Sequence, residues 1–391
     1  MTKINITGLG IVSALGISAK HHFNQLISGM IGIGHYQRDG QYYYAGKVPF
    51  TNQQLSELGK VAFSVYTSRT ALLGILAAKE ALGGTVFDSR IPTAFINGTT
   101  VGGMDRSEHY FSEIAKGNQG DAALFQMHDL GANSAYIAEQ VGDFEYVDTI
   151  STACSSSANA IMFGAQLIQS GEYNRVLVGG TDALCNFTIE GFKSLMVYDA
   201  HLCQPFDANR RGLNLGEGAA YLLLESDQGV KESGNRCLAK LSGWANRNDA
   251  FHSTGTSPDG IGAQQAMRAA LETAALRPDQ IDYINAHGTG TQNNDSSELA
   301  AMDAVFKESL PDFSSTKGAT GHTLAASGAI EAVFAVQSLL ENCAFGNFSL
   351  AEPMTASPSL LRKTVSKEVR HAMSNSFGFG GNSTSLIFSG N

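Results

Sequence analysis

Two distant stretches of the chain follow one plan. Residues 148–171, DTISTACSSSANAIMFGAQLIQSG, run from a strand-like entry through a turn of small residues into an apolar helix. Residues 314–342, SSTKGATGHTLAASGAIEAVFAVQSLLEN, do the same. A second pair, TAFINGTT (93–100) and IDYINAHGTGT (281–291), keeps the same order in the two halves. Such an echo predicts a duplicated α/β unit. The join is expected near residues 226–237, where SDQGVKESGNR is polar and turn-rich. The halves are then residues 1–235 and 236–391, the first holding the lone cysteine turn and the second two histidine-bearing turns.

The rest of the chain supports an α/β fold. INITGLGIV, TAFING, RVLVGGTDA and AAYLLLES read as strands, and SRTALLGILAAKEAL, ANAIMFGAQLIQ, AQQAMRAALETAAL and AIEAVFAVQSLLE as helices. Alternating elements of this kind build mostly parallel, buried sheets. The 391 residues are enough for a large core, and 43 glycines against 8 prolines predict many tight turns without stiff linkers.

Charge and cysteine usage exclude several classes. A net charge of −10 argues against nucleic acid or an anionic membrane as whole-surface partners. Five scattered cysteines without a C-x-x-C pair fit a reducing compartment and suit neither a disulfide framework nor a zinc site. No metal site is expected. The Gly-broken start is a poor signal peptide, and no later stretch is expected to reach the length of a membrane span, so the expected location is cytoplasmic.

Four stretches could carry chemistry. Cys154 precedes a helix whose apolar stripe falls at 158, 161, 162, 165 and 168. The helix dipole there favours thiolate. From the residues alone two readings stand: a nucleophile, or a small hydrophobe in the core. His287 follows an aliphatic strand, the usual place for ligand contact in α/β sheets, or it is a satisfied loop histidine. Lys317 and His322 lie in the turn equivalent to that of Cys154, and Glu331 falls on the buried side of the following helix. A buried carboxylate needs a cation, and Lys317 is the nearest candidate in sequence. NSFGFGGNSTSLIF could aim backbone N–H groups from the Gly378–Gly381 region at an oxyanion, or simply turn the chain. GLGIVSALG at 8–16 imitates a dinucleotide fingerprint, but Ser13 replaces its third glycine and no acidic strand end follows.

Taken together, TGLGIVSALG, STACSSSANAI, FDANRRGLNLGEGAA, NAHGTGT, SSTKGATGH and NSFGFGGNS resemble the elongating β-ketoacyl–acyl-carrier-protein synthases, almost end to end. The resemblance implies a thiolase-like fold with duplicated βαβαβαββ halves in five αβαβα layers. It implies a Cys154, His287, His322 triad supported by Lys317 and Glu331. Phe379 matches a gating residue beside Gly378 and Gly380. Val101 and Phe377 match substrate-pocket residues, and Thr289 and Thr291 match threonines that hold a pantetheine arm. A thiolase would carry a second cysteine where FGFGG stands, and initiating or chalcone-type synthases carry Asn where His322 stands.

The implied reaction is decarboxylative Claisen condensation of malonyl carrier protein with an acyl chain on Cys154. It requires no cofactor beyond the carrier's phosphopantetheine. The implied partners are acyl carrier protein and a second subunit, either a copy of the chain or a chain-length-factor-like protein. Shortened segments near 40–60 and 110–130, RRGLNLGEG, and Asn382-Ser383 in place of Thr-Asn are closer to synthases of aryl-polyene type. Because the carrier is acidic, Lys193, Arg210 and Arg211 are expected to form a local basic patch. A rival of another class is a non-catalytic scaffold that binds carrier protein.

Overall fold

The computed structural model describes residues 2–38, 40–87 and 91–391. Uninterrupted β-branched and aliphatic runs form strands buried on both faces, and the periodic apolar runs between them form helices. The first series is β1 (Ile4–Ser13), α1 (Arg69–Leu82), β2 (Thr93–Gly98), α2 (Leu130–Val141), β3 (Tyr146–Ile150), α3 (Ser156–Ser170), β4 (Arg175–Asp182) and β5 (Gly218–Glu225). The second is β6 (Ala239–Asn248), α4 (Ile261–Ala274), β7 (Tyr283–Asn285), α5 (Gln292–Phe306), β8 (Asp312–Ser314), α6 (Ser327–Glu341), β9 (His371–Gly378) and β10 (Asn382–Ser389). Each series reads βαβαβαββ.

The pairing repeats as well. In the first series β2 lies parallel to β3 and β4, β4 antiparallel to β5, and β5 antiparallel to β1. In the second, β7 lies parallel to β8 and β9, β9 antiparallel to β10, and β10 antiparallel to β6. The order β3-β2-β4-β5-β1 thus returns as β8-β7-β9-β10-β6. A short antiparallel pairing of β1 with β6, Ile4–Ile6 against Ala239–Leu241, joins the two half-sheets.

α3 and α6 pack on each other and touch strands of both half-sheets. α1 and α2 cover the outer face of one half-sheet, and α4 covers the other, with α5 packed beside it. The result is the five-layered thiolase-like arrangement. α6 is buried on every side and mostly apolar, as a helix in a central layer must be. Its residues from Ser327 to Leu339 are all buried. By length and mean hydropathy (1.3) residues 324–341 could cross a membrane, contrary to the expectation that no stretch reaches that length. Its 89% burial inside the protein accounts for that composition.

The helices approach closely at Gly328, where a Cβ would sit 2.8 Å from Ala158 Cβ and 2.9 Å from Ala158 N. The segment expected to be a polar joint holds a short helix, Asp227–Ser233. Ser226 starts it by accepting from Gly229 N at 2.9 Å, a capping bond that overrides the turn-rich composition. This topology sets the site. The carboxyl ends of β3, β7, β8 and β9 lead directly to Cys154, His287, Lys317 and Phe379, as open α/β sheets place their ligands.

Candidate active site

A cavity of about 460 Å³ is lined by Cys154, His287, Thr289, Thr291, His322, Phe377, Gly378 and Phe379. Met196 and Arg211, both solvent-exposed, also line it and mark where it opens.

Cys154 sits on a sharp elbow between β3 and α3. Ala153 adopts φ +54°, a left-handed conformation that costs a non-glycine residue about 1–2 kcal/mol. One hydroxyl holds that bend: Ser156 Oγ donates to Ala153 O at 2.6 Å and accepts from Thr152 N at 2.9 Å. Ser155 is the N-cap, so Cys154 lies one position outside the helix. Its own N–H and that of Phe379 lie close enough to the sulfur to favour its anionic form. Two backbone donors therefore converge where an oxyanion would form.

The hydrogen bonds fix both imidazole tautomers. His322 Nδ1 accepts from Leu324 N at 3.1 Å, and it lies 3.1 Å from Ser327 Oγ. Its proton must then be on Nε2. Lys317 Nζ, a donor only, lies 3.3 Å from His287 Nδ1, so His287 also carries its proton on Nε2. The rings stand perpendicular with centroids 5.4 Å apart. Burial, reinforced by the Lys317 charge, pushes both imidazoles well below their ordinary pKa and keeps them neutral. They are paired N–H donors.

Lys317 also donates to His287 O at 2.6 Å and pairs with Glu331, both side chains being almost fully buried. The expected Lys–Glu pair forms. Burial raises the Glu331 carboxyl to about 7, and Lys317 holds it from rising further.

The thiol departs from expectation. Burial raises it to about 11, against the lowering influence of Lys317 and the two N–H groups. A cysteine outside the first helical turn, 6% exposed and facing neutral imidazoles, loses more by desolvation than the helix dipole returns. The thiolate fraction then grows with pH well past neutrality. Iodoacetamide alkylation of Cys154 in the free protein is expected to accelerate about tenfold per pH unit from about pH 7 to about pH 10 without a plateau, as peptide mass spectrometry can measure. A plateau near neutrality would show a stabilised thiolate instead.

Three carboxylates outside the expected set organise the site. Glu298 accepts from His287 N (2.9 Å) and Gly288 N (2.8 Å). Asp295 accepts from Thr289 N (2.9 Å) and Phe206 N (2.8 Å). Both stand early in α5, and acids i and i+3 at a helix start behind a glycine loop were the available signal. Asp182, at the carboxyl end of β4, accepts from Val101 N and Ala325 N at 2.9 Å each, tying the Thr99–Val101 loop to the turn after His322.

Other expected residues fall elsewhere. Val101 is buried in an apolar cluster with Ile189, Leu213 and Leu324 and is not in the cavity lining, because Asp182 holds its backbone behind the wall. Gly380 N donates to Ser253 O at 2.9 Å, so that N–H is not free for an oxyanion. Thr289 and Thr291 line the cavity with hydroxyls 2.9 Å apart, and Phe379 stacks on Phe192 at 5.7 Å. Of the expected basic patch, Arg210 is buried and donates to Thr291 O, Gln292 O and Ser296 Oγ, so it braces α5 and is lost to docking. Lys193 is 3.1 Å from Glu190, which leaves Arg211 as the exposed member at the cavity. Among the described residues no group of three or more His, Cys, Asp or Glu side chains is placed to hold a metal ion.

Comparison with known proteins identifies the family. Residues 1–229 match the beta-ketoacyl synthase N-terminal domain and residues 238–349 its C-terminal domain. The chain is 30% identical to 3-oxoacyl-[acyl-carrier-protein] synthase 2 of Rhizobium meliloti over 99% of this chain and 98% of the relative. It is 29% identical to the protein of the same name from Staphylococcus aureus, with the same coverage. A ketosynthase from Xenorhabdus doucetiae, solved in complex with its chain length factor, superposes with TM-score 0.87 at 31% identity, covering 100% of this chain and 98% of that one. The ishigamide ketosynthase/chain length factor superposes with TM-score 0.92 at 26% identity, covering 100% and 99%.

Proposed function

The chain belongs to the beta-ketoacyl synthase family, and from that premise we propose that it condenses malonyl carrier protein with an acyl chain held on Cys154, with loss of CO2. One observation carries the residue roles. A cysteine reached by two backbone N–H groups shares its cavity with two imidazoles fixed as Nε2–H donors.

In the first half-reaction Cys154 Sγ attacks the carrier thioester. The Sγ–C bond forms, the bond to the pantetheine sulfur breaks, and the thiol proton ends on that leaving sulfur. The N–H groups of Cys154 and Phe379 bind the oxyanion, a contribution of about 3–4 kcal/mol per donor. In the second half-reaction malonyl carrier protein loses CO2. The two Nε2–H groups stabilise the enolate oxygen, and neutral donors neither repel nor trap the malonyl carboxylate. The enolate carbon attacks the acyl carbon and expels Cys154, which takes up a proton. The product is a β-ketoacyl chain two carbons longer on the carrier. Splitting one hard step into two is what covalent catalysis supplies.

The partners proposed are acyl carrier protein, approaching near Arg211, and a second subunit. The complex of the Xenorhabdus doucetiae neighbour favours a chain-length-factor-like partner over a second copy. No metal or organic cofactor is called for by this chemistry. A cytoplasmic location suits five unpaired cysteines.

Incubation with an acyl carrier protein is expected to add one acyl mass to the protein, localised to the Cys154 peptide. Absence of that adduct, with carrier protein still bound, would replace this reading by that of a scaffold.

A further inference from the structure

The turn between β9 and β10 carries the Phe379 N–H, and its tip is tied away from the cysteine: Gly380 N donates to Ser253 O at 2.9 Å and Gly380 O accepts from Asn248 Nδ2 at 2.8 Å. Gly380 and Gly381 adopt φ +86° and +80°. Two anchors hold it against the nucleophile elbow. At its start, Gly378 lies so close that a Cβ would meet Thr152 O at 2.8 Å and Cys154 N at 3.3 Å. At its end stands Asn382, half-buried and absent from the cavity lining.

Asn382 Oδ1 lies 2.6 Å from Ser155 Oγ, the residue after the cysteine. That hydroxyl is also 2.7 Å from Thr152 O, so its one proton is shared. The same Oδ1 accepts from Asn246 Nδ2 of β6 at 2.8 Å and Asn159 Nδ2 of α3 at 3.1 Å. Asn159 in turn donates to Thr152 Oγ1 at 2.8 Å and accepts from Thr384 Oγ1 at 2.7 Å. One amide oxygen thus gathers the elbow, the helix behind it and a neighbouring strand. On the side facing the elbow, Phe379 lies between this anchor and Gly378.

We propose that Asn382 is a positioning residue: its carboxamide staples the glycine turn to the Cys154 elbow and so holds the Phe379 N–H where the oxyanion forms. The inference rests on the condensing function above. It also predicts that the staple matters only to steps that build charge on a thioester oxygen.

Two reactions of the same sulfur separate these effects. Alkylation by iodoacetamide forms no oxyanion, whereas acyl transfer from an acyl carrier protein does. In Asn382→Ala, acyl transfer is expected to slow about 10- to 100-fold, while alkylation changes less than about threefold. The loss should fall in kcat, with KM for the acyl carrier little changed. Ser155→Ala should act in the same direction. The double variant should be no slower than the worse single one, because both remove one contact. If Asn382→Ala does not fold, Ser155→Ala carries the same comparison. Unchanged acyl transfer would overturn the proposal, as would parallel loss of both reactions. Wild-type protein that takes no acyl group would instead overturn the functional reading; wild-type acylation matched by the variants would sink the staple alone.

Discussion

Cys154→Ala is expected to abolish chain extension, lowering turnover with malonyl carrier protein and an acyl primer by a factor on the order of 10⁵ or more. The variant should also carry no acyl adduct. The size of the effect follows from what the sulfur does. It forms and breaks a covalent bond in both half-reactions, and among the described residues Cys154 is the only cysteine in the cavity lining. What remains is binding and the two imidazole N–H groups, which act on the malonyl unit without the cysteine. Slow release of CO2 from malonyl carrier protein can therefore persist while condensation does not. Stability should barely change. Cys154 is small, and replacing a buried thiol of raised pKa by a methyl removes one weakly paired polar group. A variant that still extended an acyl chain at even a few per cent of wild type would remove Cys154 from the nucleophile role. Loss of CO2 release together with condensation would point to disruption of the imidazole pair.

How far this site could be read in advance depended on how local each feature is. The Cys154 and His322 turns are visible because small residues and an apolar helix follow each other within one short window. The Lys317–Glu331 pair was legible for a similar reason: an acid on the buried stripe of a helix demands a cation, and one lay in the preceding turn. The thiol pKa was misjudged because helix position is local while burial is tertiary. Arg210 failed as a surface cation for the same reason, since α5 lies 81 to 86 residues further along and covers it. Asp182 serves backbone N–H groups 81 and 143 residues away, and no periodicity marks such a task, whereas Glu298 and Asp295 serve the glycine loop just before their own helix. Val101 shows the converse limit: a motif placed it near the acyl chain, but its backbone bond to Asp182 sets it behind the wall.

Lys317→Met tests the most costly part of the site. Both side chains of the Lys317–Glu331 pair are almost fully buried; Lys317 pairs with Glu331 Oε1, and Oε2 has no hydrogen-bond partner among the described residues. Removing one member of such a pair typically destabilises by about 3–5 kcal/mol. The loss should depend on pH. The Glu331 carboxyl stands at about 7 with Lys317 present, above its value in an unfolded chain, so its contribution to stability is lost as pH rises through that folded value. Without Lys317 the folded value rises further, and the variant goes on losing up to about 1.4 kcal/mol per pH unit where wild type has levelled off. The gap between the two thermal unfolding curves should widen from about pH 7 to about pH 9. Lys317→Met with Glu331→Leu should recover most of the stability, because an apolar pair of similar volume carries no desolvation penalty. It should not recover condensation, since His287 Nδ1 still lacks the donor that fixes its tautomer. Recovery of both properties would make the pair structural only. A pH-independent gap would mean that Glu331 stays ionised without Lys317, held by a group other than this lysine.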